Sequence, residues 1–183
     1  MARKESITID HITTTAFEMT REEGFASVTA RKVAVKAGCS TQPIFRVYKN
    51  MEELQVAVYL RAVDFFRAFN TEYPKKGVAP FTDLGMAYIA FARQEKHLFR
   101  LLFIEDKKNG ISMYELLNGA DGNVVREINM AKAKGCKDPG GLFMRMWIFI
   151  HGAACMTLSG DYDLTDAETE QLLVKAYESF EKV

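Results

Sequence analysis

Apolar side chains recur at steps of three and four along almost the whole chain, and no stretch alternates convincingly like a strand. That regularity restricts the chain to an all-α fold. Ile9, Ile12, Ala16 and Met19 predict an amphipathic helix from about Ser6 to Glu23, ended by Gly24. Thr29 caps a short helix with Val33 and Ala34 facing inward, and Gly38 lies beyond its end. Ser40 caps the next helix, with Pro43 in its first turn, where a missing N–H is harmless. Asn50 and Glu53 form a capping box that opens a long helix to about Tyr73. After the loop "YPKKGVAP", the stretch "FTDLGMAYIAFARQEKHLFRLLF" predicts one or two helices, bent between Gln94 and His97. "EDKKNG" reads as a turn, "GADG" interrupts a helical stretch, and "KGCKDPGG" precedes a helix from about Gly141 to Leu158. Thr165 and Glu168 make a second capping box for a last helix to about Lys182. The count is nine helices or so.

At 183 residues the chain forms one or two small domains with a real core. Its 24 basic and 24 acidic residues balance, but not evenly along the chain. Through Asn50 there are 8 Lys/Arg against 5 Asp/Glu, and beyond it 16 against 19. Cys39, Cys136 and Cys155 lie far apart, without metal-ligand spacing or an even count for a disulfide framework. A reduced, cytoplasmic protein without metal or cofactor is the expectation. The start "MARKESITIDH" lacks the apolar core of a signal peptide. The most hydrophobic stretch, "GLFMRMWIFIHGAACMTL", carries Arg145 and His151 and is barely membrane-length, so it reads as a buried helix rather than a span.

Two short helices joined by a tight glycine turn, after a longer first helix, describe a helix-turn-helix. The second offers side chains suited to base edges. Gln42 can pair with adenine, Arg46 with guanine, and the Thr41 methyl can touch a thymine methyl. The helix starts at Thr29 and Ser40 suit phosphates, and Arg31, Lys32, Lys36 and Lys49 supply counterion-releasing charge. Phe45 and Tyr48 complete the candidate DNA-facing set. The alternative is an ordinary capped surface pair with solvated charges.

The stretch "SVTARKVAVKAGCSTQPIFRVYKNMEEL" also resembles the DNA-binding signature of the TetR family of bacterial repressors. The shared pattern is Thr opening the second helix, Ala-Gly in the turn, Ser before the recognition helix, and an aromatic-rich end before an acidic helix start. The resemblance implies a helix-turn-helix domain over residues 1–50 and a larger helical domain over 51–183 for ligand binding and dimerisation. It implies a homodimer on a pseudo-palindromic double-stranded operator, released by a small-molecule effector. By position, Thr29 would touch phosphate while Thr41, Gln42 and Arg46 face the major groove. The family often has a phosphate-binding tyrosine where Phe45 stands, and a lysine where this chain has Met51.

The larger region is rich in aromatics and methionine, which build adaptable apolar pockets and ordinary cores alike. Tyr59, Phe66, Tyr88, Phe91, Phe103, Tyr114, Phe143, Trp147 and His151 are the candidate ligand contacts. Ile148, Gly152, Cys155, Leu172 and Ala176 are the candidate dimer contacts, because the small residues from Gly152 to Cys155 permit close helix approach. That patch suits a tight internal crossing equally well. An enzyme is the rival class, with Cys155 and His151 one turn apart as its best pair, but no third member or oxyanion donor accompanies them. A helix-turn-helix regulator controlled by a partner protein is the other alternative.

Overall fold

The computed structural model describes residues 7–105 and 111–182. Among them are ten α-helices and no strand, one more helix than the sequence count. They run α1 (Ile9–Glu23), α2 (Ala30–Lys36), α3 (Gln42–Val47), α4 (Met51–Glu72), α5 (Thr82–Gln94), α6 (Lys96–Phe99), α7 (Met113–Asn118), α8 (Asn123–Ala133), α9 (Pro139–Ser159) and α10 (Asp166–Phe180). A 3-10 turn (Phe25–Ser27) follows α1, and a π-helical stretch (Arg100–Ile104) follows α6. Ser6 and residues 106–110 of the expected "EDKKNG" turn lie outside the described residues. The chain divides into two compact units. One runs to Phe65 and takes in the segment beginning at His97; the other holds the end of α4, α5, and the chain from Ile111 onward.

In the first unit, α1 to α4 close around Ile12, Val33, Ile44 and Leu54, all with no exposed surface. Each such side chain contributes about 1.5–3 kcal/mol by leaving water. Ile9 departs from the expected stripe. It is 58% exposed, because it opens the first turn of α1, a full turn before the core begins at Ile12. Thr8 caps α1, and Gly24 ends it at φ 89°. A side chain at Gly24 would be strained by that φ and would meet His97 Nδ1 at 3.2 Å. The bend read near Gln94 to His97 is real: helix stops at Glu95 and resumes as α6.

The start of α3 corrects the sequence reading. Thr41, not Ser40, is its N-cap, and no side chain caps it. Instead, the Thr41 carbonyl accepts from Ile44 N–H at 3.1 Å, and Pro43 needs no partner. The Asn50–Glu53 box also differs in detail. Asn50 Oδ1 accepts from Glu53 N–H at 2.9 Å, but Glu53 reaches back to the N–H of Lys49 at 2.8 Å.

In the second unit, α9 packs against α5, α8 and α10, and α7 pairs with α8. The close approach falls at Gly85 of α5, where a Cβ would sit 2.9 Å from Leu173 Cδ1 and 3.0 Å from Ile150 Cδ1. The Thr165–Glu168 box forms as read, and Ser112–Glu115 makes one the sequence reading overlooked. Helix α9 begins two residues before Gly141, because Asp138 accepts from Gly141 N–H at 2.9 Å and Pro139 occupies the first turn. Phe81, before α5, is the one non-glycine residue with left-handed backbone among those described, at φ 66°. Its N–H donates to Glu127 Oε2.

Candidate nucleic-acid interface

A short helix can hold a reading face only if its other face is anchored. In α3, Ile44 has no exposed surface, Val47 is half-buried, and Thr41, Gln42, Phe45 and Arg46 are exposed. Gln42 and Arg46 stand four apart and so share one face. Ser40, Gln42, Pro43, Phe45 and Arg46 line a concave surface there.

Tyr48 does not belong to that face. It is buried in the core, and its hydroxyl lies 2.6 Å from Thr13 Oγ1. Thr13 gives its own proton to the Ile9 carbonyl at 2.8 Å, so Tyr48 is the donor. This bond ties the end of α3 to α1. Tyr48 stands four residues after Ile44, so helical spacing already places it on the core side, a signal the sequence reading passed over.

Thr29 caps α2 by accepting from Lys32 N–H at 3.4 Å, which leaves its O–H to donate. The cations separate into two groups. Lys32 pairs with Glu23 at 3.1 Å, Lys36 pairs with Glu22, and Lys49 lies 3.7 Å from Glu53. Among the described residues, Arg31 and Arg46 carry no ion pair. Surface pairs of this kind contribute about 0–1 kcal/mol, so the paired lysines can exchange partners readily.

The second unit gathers most of the candidate ligand contacts. Tyr88 packs edge-on to Trp147 at 4.7 Å and to Phe66 at 6.4 Å, and Phe66 meets Phe91 at 5.0 Å. Phe143 stacks on Trp147 at 6.5 Å and meets Tyr114 at 6.3 Å. Tyr88 Oη lies 2.9 Å from His151 Nδ1, and the other ring nitrogen lies 3.5 Å from Cys155 Sγ. Burial pushes the Tyr88 hydroxyl and the Cys155 thiol up from their ordinary values, which favours the protonated thiol. Tyr59 and Phe103 are not part of this cluster; both are buried in the first unit.

Two small clefts lie in the second unit, and Asn70 and Asn123 line both. Asn70 is 5% exposed, and Glu127 lines one cleft with its carboxyl pKa raised by burial, against the Phe81 N–H bond. Sequence spacing gave no signal for these three, because isolated polar residues on amphipathic helices read as solvated.

The candidate dimer contacts divide as well. Met144, Ile148, Gly152 and Met156 follow at steps of four along α9, and all four are exposed. Ile148 is 66% exposed. Cys155 and Leu172 are half-buried, whereas Ala176 is buried within its own unit. By length and mean hydropathy of 1.3, α9 could cross a membrane, but its other face is built into the unit.

Residues 81–180, more than half the chain, match the family described as "Tetracyclin repressor-like, C-terminal domain". A TetR-like transcriptional regulator from Rhodococcus sp. RHA1 has a similar structure, with 14% identity, TM-score 0.63, and 96% of each chain covered. A TetR-family protein from Vibrio parahaemolyticus is similar at 17% identity and TM-score 0.65, covering 93% of this chain and 96% of that one. Another, from Rhodococcus sp., gives 16% identity and TM-score 0.59, covering 94% and 97%. No curated protein sequence matches the chain. The family match spans the second unit's principal helices, the structural likeness extends over the helix-turn-helix, and the chain belongs to the TetR family of transcriptional regulators.

Proposed function

We propose that the protein is a cytoplasmic repressor that binds a pseudo-palindromic operator as a homodimer. The observation that carries this reading is the two-sidedness of α3: Ile44 is anchored in the core while Thr41, Gln42 and Arg46 stand outward. Residues 1–50 supply the DNA-binding part, with Arg46 to guanine, Gln42 to adenine, and Thr29, Arg31 and Lys49 to phosphates. Residues 51–183 supply effector binding and dimerisation. One reading helix contacts too few bases for a specific site, so two copies at half-sites one helical turn apart are required.

The exposed apolar row on α9 supports pairing between copies. A helix apolar on both sides is buried on both sides in the working assembly. The effector is a small, largely apolar molecule held among Phe66, Tyr88, Phe91, Phe143 and Trp147, with Tyr114 and His151 at the margin. These rings pack against one another, so the effector must bind a form in which they have parted. It shifts the population only as far as it prefers that form to the DNA-bound one.

The test uses the full chain. Selection from random duplex DNA should return a palindromic motif, and a thermal-stability screen of apolar compounds should find a binder that weakens operator affinity by about 1–3 kcal/mol. Failure to enrich any motif would overturn the DNA reading. A binder that stabilises the protein yet leaves operator affinity untouched would overturn the coupling.

A further inference from the structure

Phe45 is 49% exposed, although a phenyl ring gains by leaving water and α3 has a buried face nearby. Among the described residues it makes no ring contact, unlike the paired aromatics of the second unit. Successive residues of an α-helix turn by roughly 100°, which places Phe45 between Thr41 and Gln42 in projection, inside the arc that ends at Arg46. The ring therefore stands within the reading face rather than at its rim. It also helps line the concave surface formed with Ser40, Gln42, Pro43 and Arg46.

We propose that Phe45 reads the 5-methyl group of a thymine beside the base pairs contacted by Gln42 and Arg46. The inference rests on the DNA-reading role proposed above. Docking α3 in a major groove takes the water off a ring at this position. Against a donor or acceptor on a base edge, a phenyl ring would remove hydration and return no hydrogen bond. It has no hydroxyl with which to reach a phosphate. The thymine methyl is the one apolar group that the major groove presents, and phenylalanine is among the side chains that meet it. Phe45 thus converts a position with no hydrogen-bonding capacity into a sequence preference.

The experiment starts from a duplex selected with the full chain and replaces single thymines by deoxyuridine, which removes only the methyl. Burial of one methyl-sized group corresponds to about a fourfold change in affinity, so substitution at the Phe45 position should weaken binding about fourfold, and about sixteenfold when made in both half-sites. Phe45→Ala should bind the thymine and uracil duplexes equally, with an unchanged melting temperature. Thr41→Ser should keep the thymine preference. The proposal is overturned if uracil is tolerated at every position, if Phe45→Ala keeps the full preference, or if Thr41→Ser abolishes it. Selection of no motif at all would take down the DNA reading and this inference together, whereas the other outcomes leave the DNA reading standing.

Discussion

The two units use apolar residues in opposite ways. In the first, a short helix such as α3 keeps its core contacts on one side and exposes Thr41, Gln42 and Arg46 on the other. In the second, α9 carries apolar residues on both its buried and its exposed sides: Leu142, Met146 and Ile150 are buried, while Met144, Ile148 and Met156 are exposed. On a two-sided helix the outward polar residues declare themselves as candidates for a task. On an apolar helix the same hydrophobic alphabet builds core and surface, and only coordinates separate them. Chemistry is therefore easier to assign in the first unit, and assembly in the second.

The largest expected effect tests the apolar row. Ile148→Glu puts a charge on an exposed position, so the fold should survive it, with stability changed by only about 0.5 kcal/mol. If α9 pairs two copies, light scattering should find monomers, and operator affinity should fall by roughly 10²–10⁴-fold as the second half-site is lost. A variant that remains dimeric would move the interface off α9. Next in size is Arg46→Ala, expected to cost about 1–3 kcal/mol of operator binding and to relax one base pair per half-site. Lys49→Ala should instead weaken all sequences alike and flatten the salt dependence. Identical selected motifs for wild type and Arg46→Ala would remove Arg46 from base reading.

How far the sequence could be read follows the same division. Caps and turns are local chemistry, so Thr29, Gly38 and the Thr165–Glu168 box were legible directly. Periodicity placed Val33 and Ala34 inside. It failed at Ile9, because a helical stripe does not say where the partner helix ends. The tight internal crossing that the Gly152–Cys155 patch suited as well as a dimer contact falls at Gly85 rather than at Gly152, since a small residue permits an approach without specifying a partner; nothing within the chain lies within 4 Å of a Cβ built at Gly152. Likewise, no spacing rule joins Thr13 to Tyr48, 35 residues apart. Tyr48 looked like a surface aromatic until tertiary contact supplied its acceptor.

That bond gives a third test, at about 1 kcal/mol. Tyr48→Phe removes the donor and leaves Thr13 bonded to the Ile9 carbonyl, so denaturant unfolding should register a loss of about 0.5–1.5 kcal/mol. Thr13→Val should cost more, about 1–3 kcal/mol, because the buried Tyr48 hydroxyl then lacks its acceptor. Operator affinity of Tyr48→Phe should match wild type, since the hydroxyl points inward. A loss of affinity without a loss of stability would return Tyr48 to the DNA face.

The smallest effect lies at the buried polar edge of the second unit. Glu127 accepts the N–H of Phe81, whose left-handed backbone makes that bond its local anchor. Burial nevertheless raises the Glu127 carboxyl pKa, outweighing the bond to Phe81. The folded protein therefore holds this proton to higher pH than the unfolded chain does. Between the ordinary glutamate value, about 4.3, and the raised one, the folded state binds more protons, so this group's contribution to stability falls as pH rises. Glu127→Gln keeps an oxygen acceptor for Phe81 and does not titrate. Urea unfolding of the two proteins at acid and neutral pH should thus show wild type losing ground to the variant as pH rises, with other carboxylates cancelling in the difference. The opposite trend, wild type gaining on Glu127→Gln toward neutrality, would mean that the charged carboxylate is favoured by its bond to Phe81 and its neighbours. The edge of the second unit would then be held by a charge, and the contrast between the polar exposed side of α3 and an apolar bundle would be weaker than the fold suggests.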